Sequence, residues 1–219
     1  SKARFLACHK FAFVEKLDML SNLEPGGTFL LASPYAADTV WAQLPVQVQK
    51  QIIDRKIRFY VIDAVRIADE MGMGSRINVI MQTAFFKISG VLPEEEALEL
   101  IRNAIRKTYG KKGEEIVKRN IATIDRALAS IQEVEIPSAP SGDRQMLPPV
   151  PADAPDFVRR VTGEIIAGRG HLLPVSALPD DGTYPTGTTK YEKRNIAEQI
   201  PVWDPEVCIQ CGDCAAVCP

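Results

Sequence analysis

The chain has 219 residues, of which 46% are hydrophobic and 25% charged, with a formal net charge of −2. That length holds one or two domains with a proper core, and a near-neutral balance without a basic stripe or arm excludes nucleic acid as the main partner. No apolar run approaches a membrane span, no secretory signal opens the sequence, and cysteine usage fits a reducing compartment, so the cytoplasm is the expected location.

The first 133 residues alternate apolar strand-like runs with helical patterns, which predicts an α/β unit with a mostly parallel sheet between helical layers. RFLACH (4–9) reads as a buried strand, followed by a helical stretch from Ala12 to Leu23 that Gly26 and Gly27 break. TFLLAS (28–33) is the second strand, stopped by Pro34, and Val46 to Lys56 is helical. A third strand covers 57–62, with Asp63 placed to cap a helix starting at Ala64. After MGMGSR comes the helical run INVIMQTAFFKIS, whose Ile77, Ile80, Met81, Ala84, Phe85 and Ile88 form a wide apolar stripe. Pro93 and three glutamates open the next helix, and Arg102, Arg106 and Lys107 close it before Gly110, as the helix dipole favours. A last helix shows Val117, Ile121, Ile124, Leu128 and Ile131 at alternating four- and three-residue spacing.

Beyond Gln132 the texture changes. Ten of the sixteen prolines lie between Pro137 and Pro201, and helical periodicity survives only in a short turn near Phe157 to Ile166. Residues 134–200 are therefore expected to form an extended connector, too long for an ordinary loop. Leu172, Leu173, Val175, Leu178, Tyr184 and Tyr191 give it apolar anchors, so it reads as a strap laid over a neighbouring surface.

Four of the five cysteines fall in the last twelve residues: Cys208, Cys211, Cys214 and Cys218, followed by Pro219. The spacing C-x2-C-x2-C-x3-C-P is that of bacterial two-cluster ferredoxins, in which the first three thiolates ligate one [4Fe–4S] cube and the fourth turns to the other. Cys208, Cys211 and Cys214 are thus expected on one cluster and Cys218 on a second. A zinc site usually draws its second ligand pair from a distant element, and a disulfide framework lacks an oxidising context. One such run supplies three ligands to its own cube, so residues 201–219 read as the first half of a ferredoxin-like domain belonging to a longer chain.

Polar residues elsewhere carry two readings each. Arg76 and Asn78 follow MGMG at a helix start, where free N–H groups and the positive dipole end favour phosphate. They equally suit a turn in which Gly72 ends one helix, Ser75 caps the next and both side chains face water. Asn120 flanks the apolar stripe of the last helix and must pair inside the protein or reach a ligand. Cys8 reads as a small buried apolar residue, and His9 stands where the carboxyl end of a strand can meet ligands. His171 reads as solvated, and Lys111, Lys112, Lys118 and Arg119 as a solvated helix face.

Three segments, GGTFLLASPY, MQTAFFKISGVLP and LPVSALPDDGTYPTGTTKYEKRNIAEQIPVWDPEVCIQCGDC, follow one another in an order that resembles the single-chain pyruvate:ferredoxin (flavodoxin) oxidoreductases. The resemblance implies that residues 1–133 are the later part of the gamma-type domain, which helps to bind coenzyme A. It implies a parent enzyme that decarboxylates pyruvate on thiamine diphosphate and Mg2+ held by other domains of the same chain. That enzyme passes electrons through [4Fe–4S] clusters to ferredoxin or flavodoxin, yields acetyl-CoA and works as a homodimer. SRIN matches the family's GRxN-like segment and KRNI a second one, so Asn78 and Asn120 are implied to contact coenzyme A, with Arg76 on a phosphate. A serine stands at position 75 where the family often has glycine. An electron-transfer subunit of another iron–sulfur complex, or a zinc-holding interaction module, would lack a use for the coenzyme site.

Overall fold

The computed structural model describes residues 2–192 and 200–217. Its centre is a sheet of strand order β1-β2-β3-β4, with β1 at Ala3–Cys8, β2 at Leu23–Ala32, β3 at Arg58–Ile62 and a two-residue β4 at Gln132–Glu133. The first three strands run parallel and β4 closes the edge antiparallel, pairing Val61 with Gln132 and Tyr60 with Glu133. Parallel strands are buried on both faces, and their period of two divides the side chains. Phe29, Leu31, Phe59 and Val61 point into one core, where the paired rings of Phe29 and Phe59 stack 5.3 Å apart. Leu30, Ala32, Tyr60 and Ile62 point into the other.

The first face is covered by α1 (Val40–Gln43) and α2 (Val46–Asp54), through Val40, Trp41, Leu44, Val48 and Ile52. The second is covered by α3 (Ala64–Glu70), α4 (Asn78–Ser89) and α6 (Glu114–Leu128), while α5 (Glu94–Tyr109) packs on α4 and α6 through a separate cluster of Val79, Leu98, Ile101, Ile105 and Ile124. Helix α4 is buried towards both sides, which its all-round apolar sequence allows. The three-layer α/β/α arrangement and mostly parallel sheet match the expectation from the sequence. Asp63 caps α3 as anticipated, its Oδ1 accepting from the Arg66 amide at 3.1 Å.

One expected helix is absent. Residues 12–23 form two short 3-10 turns, Phe11–Phe13 and Leu20–Asn22, and β2 starts at Leu23, well before Thr28. Asp18 and Ser21 divert hydrogen bonds from a helical ladder: Ser21 Oγ donates to the Asp18 carbonyl oxygen and Gln51 Nε2 to the Asp18 carboxylate. Gly26 and Gly27 do not break a helix; they let β2 bulge where its register with β1 shifts between Ala3 and Phe5. A Cβ on Gly27 would lie 2.8 Å from the Glu24 carbonyl oxygen and 2.9 Å from Leu23 Cγ, so only glycine fits.

The connector does lie on the α/β unit, but through residues nearer its start than the predicted anchors. Val134 is buried and Ile136 and Met146 pack on the first core, while Leu147 N–H donates to the Glu15 carbonyl oxygen at 2.6 Å. Farther along, Val150, Ala154 and Val158 build a small core of their own with Ile166 and Tyr191 around the turn at Val158–Ile166. Of the predicted anchors, Tyr191 joins this core and Tyr184 meets Phe157 edge-on and bonds to Thr162, whereas Val175 is 88% exposed and Leu172 67%.

The tightest link between strap and domain is Gln49, fully buried on α2. Its Nε2 donates to the carbonyl oxygens of Trp41, Leu44 and Ser141, and its Oε1 accepts from Ser141 N–H at 2.7 Å. Each partner stranded in the interior costs about 1–3 kcal/mol. Gln49→Leu is therefore expected to lower the unfolding free energy by about 2–3 kcal/mol and to strip hydrogen-exchange protection from the Ser141 amide while β2 amides stay protected. Unchanged protection at Ser141 would show that the strap is held elsewhere.

Candidate functional site

The loop between α3 and α4 brings several of the singled-out residues to one end of the helical layer. Gly72, with φ +63°, ends α3, and Met73 N–H donates back to the Ala68 carbonyl oxygen at 2.7 Å. Met73 inserts into the second core and anchors the loop. Ser75 does not cap α4: the residue before its first turn is Ile77, and no side chain serves there. The opening amides of α4 thus lack a side-chain cap, which leaves the positive end of its dipole uncompensated by the chain itself.

Asn78 is exposed in the first turn of α4, and Arg76 is exposed two residues earlier with its Nε donating to the Met73 carbonyl oxygen at 3.1 Å. Asn120, in the middle of α6, is only 1% exposed. Its Nδ2 donates to the Ile116 carbonyl oxygen at 2.8 Å, and its Oδ1 is buried with no hydrogen-bond partner. Neighbouring Arg119 leans over the loop, its Nη1 3.2 Å from where a Cβ on Gly72 would stand. The turn before α4 and the middle of α6 are therefore in contact, one residue away from Asn120.

The remaining candidates separate cleanly. Cys8 is 4% exposed, donates from Sγ to the Lys10 carbonyl oxygen, and burial pushes its thiol up, which leaves it unreactive. His9 lies with Lys10, Ser33, Pro34 and Asp63 around a cleft of about 330 Å³ outside the carboxyl ends of β1, β2 and β3. His171 is exposed on a 3-10 turn, Lys118 pairs with Glu114 at 3.2 Å in solvent, and Lys112 sits over the Tyr109 ring. Sequence reasoning missed the buried Gln49, which bonds to Ser141 across a separation that no local pattern reveals, and placed Arg119 on a solvated helix face without its approach to Gly72.

At the other end of the chain, Cys208, Cys211 and Cys214 are described, and Cys218 lies outside the described residues. The backbone reverses at Gln210 (φ 57°) and Gly212 (φ 82°), which brings the Gln210 amide to 3.4 Å from Cys208 Sγ. Hydrogen bonds from Trp203 and from that amide hold the Cys208 thiol below its ordinary range, favouring the thiolate that a metal needs. Among the described residues no three His, Cys, Asp or Glu side chains converge as a metal site. The fit to an iron–sulfur cluster is one of donor chemistry and local backbone: soft thiolates at short spacing, with N–H groups turned towards sulfur.

Residues 1–130 match the profile of pyruvate ferredoxin/flavodoxin oxidoreductase. The chain belongs to that family. Residues 143–197 match a domain of unknown function, and residues 200–219 match a 4Fe-4S binding domain, which favours iron–sulfur over zinc for the cysteine run. Along its whole length the chain is 51% identical to a putative pyruvate-flavodoxin oxidoreductase from Synechocystis sp. and 52% identical to the pyruvate-flavodoxin oxidoreductase of Rhodospirillum rubrum, covering 18% of each. It is 46% identical to the pyruvate:ferredoxin oxidoreductase of Moorella thermoacetica, covering 100% of this chain and 19% of that one. The chain thus spans under one fifth of the length of these relatives. A solved structure, pyruvate oxidoreductase subunit PORC from Thermotoga maritima, superposes with a TM-score of 0.48 at 17% identity, over 61% of this chain and 66% of its own. Among the described residues no helix is long and apolar enough to cross a membrane.

Proposed function

We propose that this chain serves a pyruvate:ferredoxin/flavodoxin oxidoreductase, in which residues 1–133 are the gamma-type domain, 134–200 the strap and 201–219 the start of a two-cluster ferredoxin domain. The reaction converts pyruvate and coenzyme A to acetyl-CoA and CO2, releasing one proton and two electrons to ferredoxin or flavodoxin. The observation that carries the reading is whole-chain identity of 46–52% to proteins named for that activity. Thiamine diphosphate and Mg2+ belong to other domains of the parent chain, a homodimer in the cytoplasm.

The work assigned to this chain is to hold coenzyme A and to begin the electron path. Asn78, exposed at the start of α4, makes a neutral hydrogen bond to the coenzyme, and Arg76 meets a phosphate with a planar donor. Asn120 offers a buried amide oxygen without a donor, an acceptor for a coenzyme N–H or O–H. Holding the thiol in place near the reacting centre, with water displaced, is a positioning role. A [4Fe–4S] cluster on Cys208, Cys211 and Cys214, with Cys218 serving a second, supplies one-electron transfer.

Removing a neutral hydrogen bond costs about 0.5–1.5 kcal/mol. In the full-length enzyme, Asn78→Ala and Asn120→Leu are each expected to raise the KM for coenzyme A by about two- to ten-fold, with the KM for pyruvate nearly constant. Asn120→Leu is also expected to keep or raise the melting temperature, because the helical N–H of Asn120 already serves the Ile116 carbonyl and an orphaned oxygen disappears. Wild-type coenzyme kinetics in both variants would return these residues to a purely structural role.

The cluster assignment has its own readout. Cys211→Ala in the full-length enzyme is expected to remove about four iron and four sulfide per chain, together with the corresponding signal in electron paramagnetic resonance of the reduced protein. Retention of all iron would remove Cys211 from the ligand set.

A further inference from the structure

The stretch that enters the cysteine run is folded by Asp204. Its Oδ1 accepts from the Glu206 N–H at 2.9 Å, and its carbonyl oxygen accepts from the Cys208 N–H at 3.0 Å. The second bond closes a single turn, which returns the residue before Asp204 to the side of Cys208. That residue is Trp203. The one polar group of an indole is its Nε1–H, a donor without acceptor capacity, and here it meets the Cys208 sulfur. The Gln210 amide donates to the same sulfur at 3.4 Å, placed there by a backbone φ of 57°.

Cys208 therefore stands apart within the run. Among the described residues no side chain donates to Cys211 or Cys214. Packing within the described residues does not account for the indole either, since Trp203 is 68% exposed. A backbone amide can reach a ligand sulfur in any chain that turns this way, but an indole does so only where the sequence supplies one.

An N–H aimed at a sulfur gains strength as that sulfur becomes more negative. Reduction adds one electron to an iron–sulfur cluster and spreads part of the charge onto its ligand sulfurs. Each donor of this kind thus favours the reduced state over the oxidised one and raises the potential. The electron comes from the oxidation of pyruvate and leaves to ferredoxin or flavodoxin, and no covalent bond to Trp203 forms or breaks in either transfer.

Resting on the iron–sulfur reading above, we propose that Trp203 is a positioning residue of the electron path, whose indole N–H on the Cys208 sulfur sets the reduction potential of the cluster held by Cys208, Cys211 and Cys214. Asp204 supports it by closing the turn that keeps residue 203 beside that ligand.

The test is a redox titration of the full-length enzyme followed by electron paramagnetic resonance, with iron and sulfide counted in every variant. Trp203→Phe keeps an aromatic ring and removes the donor. It is expected to retain the wild-type iron content and to lower the potential of one cluster while the others titrate as before. The ratio of reduced to oxidised cluster at a fixed potential is expected to fall about ten-fold, equivalent to about 59 mV for a one-electron couple. Full iron content with every potential unchanged or raised would overturn the proposal, because the ring alone would then suffice. Loss of iron in Trp203→Phe would overturn it too, since the residue would then build the cluster site rather than tune it. Failure of the iron–sulfur reading itself shows separately, as zinc in place of iron in the wild type or as Cys211→Ala that keeps all its iron.

Discussion

Everything in this molecule hangs on the parallel pairing of β1, β2 and β3. Three parallel strands cannot be joined by tight turns, so each return carries chain across a face of the sheet. The period of two loads both faces with large apolar side chains, and Phe29 beside Phe59 on one side and Leu30 beside Tyr60 on the other leave neither face free to meet water. The first face recruits α2 and the early part of the strap. The second recruits α4, whose first residue, Asn78, is left exposed. The placing of Asn78 at that end of the helical layer is a consequence of how the second face is covered.

The price of that arrangement is polar matter inside. Gln49 satisfies the carbonyls at the end of α1 and fixes the strap at Ser141 in one set of buried bonds. Asn120 does the opposite, leaving an acceptor unmatched in the packing between helices. Natural domains keep few such orphans, and this one is an acceptor that the packing of the helices leaves without a donor.

Much of this was legible in the sequence because the signals are local. Asp63 at a strand's end, the Pro93-Glu94-Glu95-Glu96 start of α5 and the spacing of Val117 to Leu128 each fix an element through bonds within a few residues. The cysteine run is legible for the same reason. What failed involves partners far along the chain. Gly26 and Gly27 look like a helix break, yet they serve a strand bulge defined by Arg4 and Leu23. Gln49 looks like a surface residue on an amphipathic helix until Ser141 arrives to bury it. Asn120 was placed on the flank of its stripe, but its orphaned oxygen exists only once α4 and α5 have packed on α6. Arg119 read as part of a solvated face; its approach to Gly72 is a tertiary fact.

The central claim is that coenzyme A is held where the turn before α4 meets α6. Hydrogen exchange of the full-length enzyme, with and without coenzyme A, tests it most directly. The account predicts that the coenzyme slows exchange at residues 72–80 and 116–120 while the amides of β1 to β3 stay as they were. Protection that appears elsewhere in this chain and leaves those two segments unchanged would contradict it.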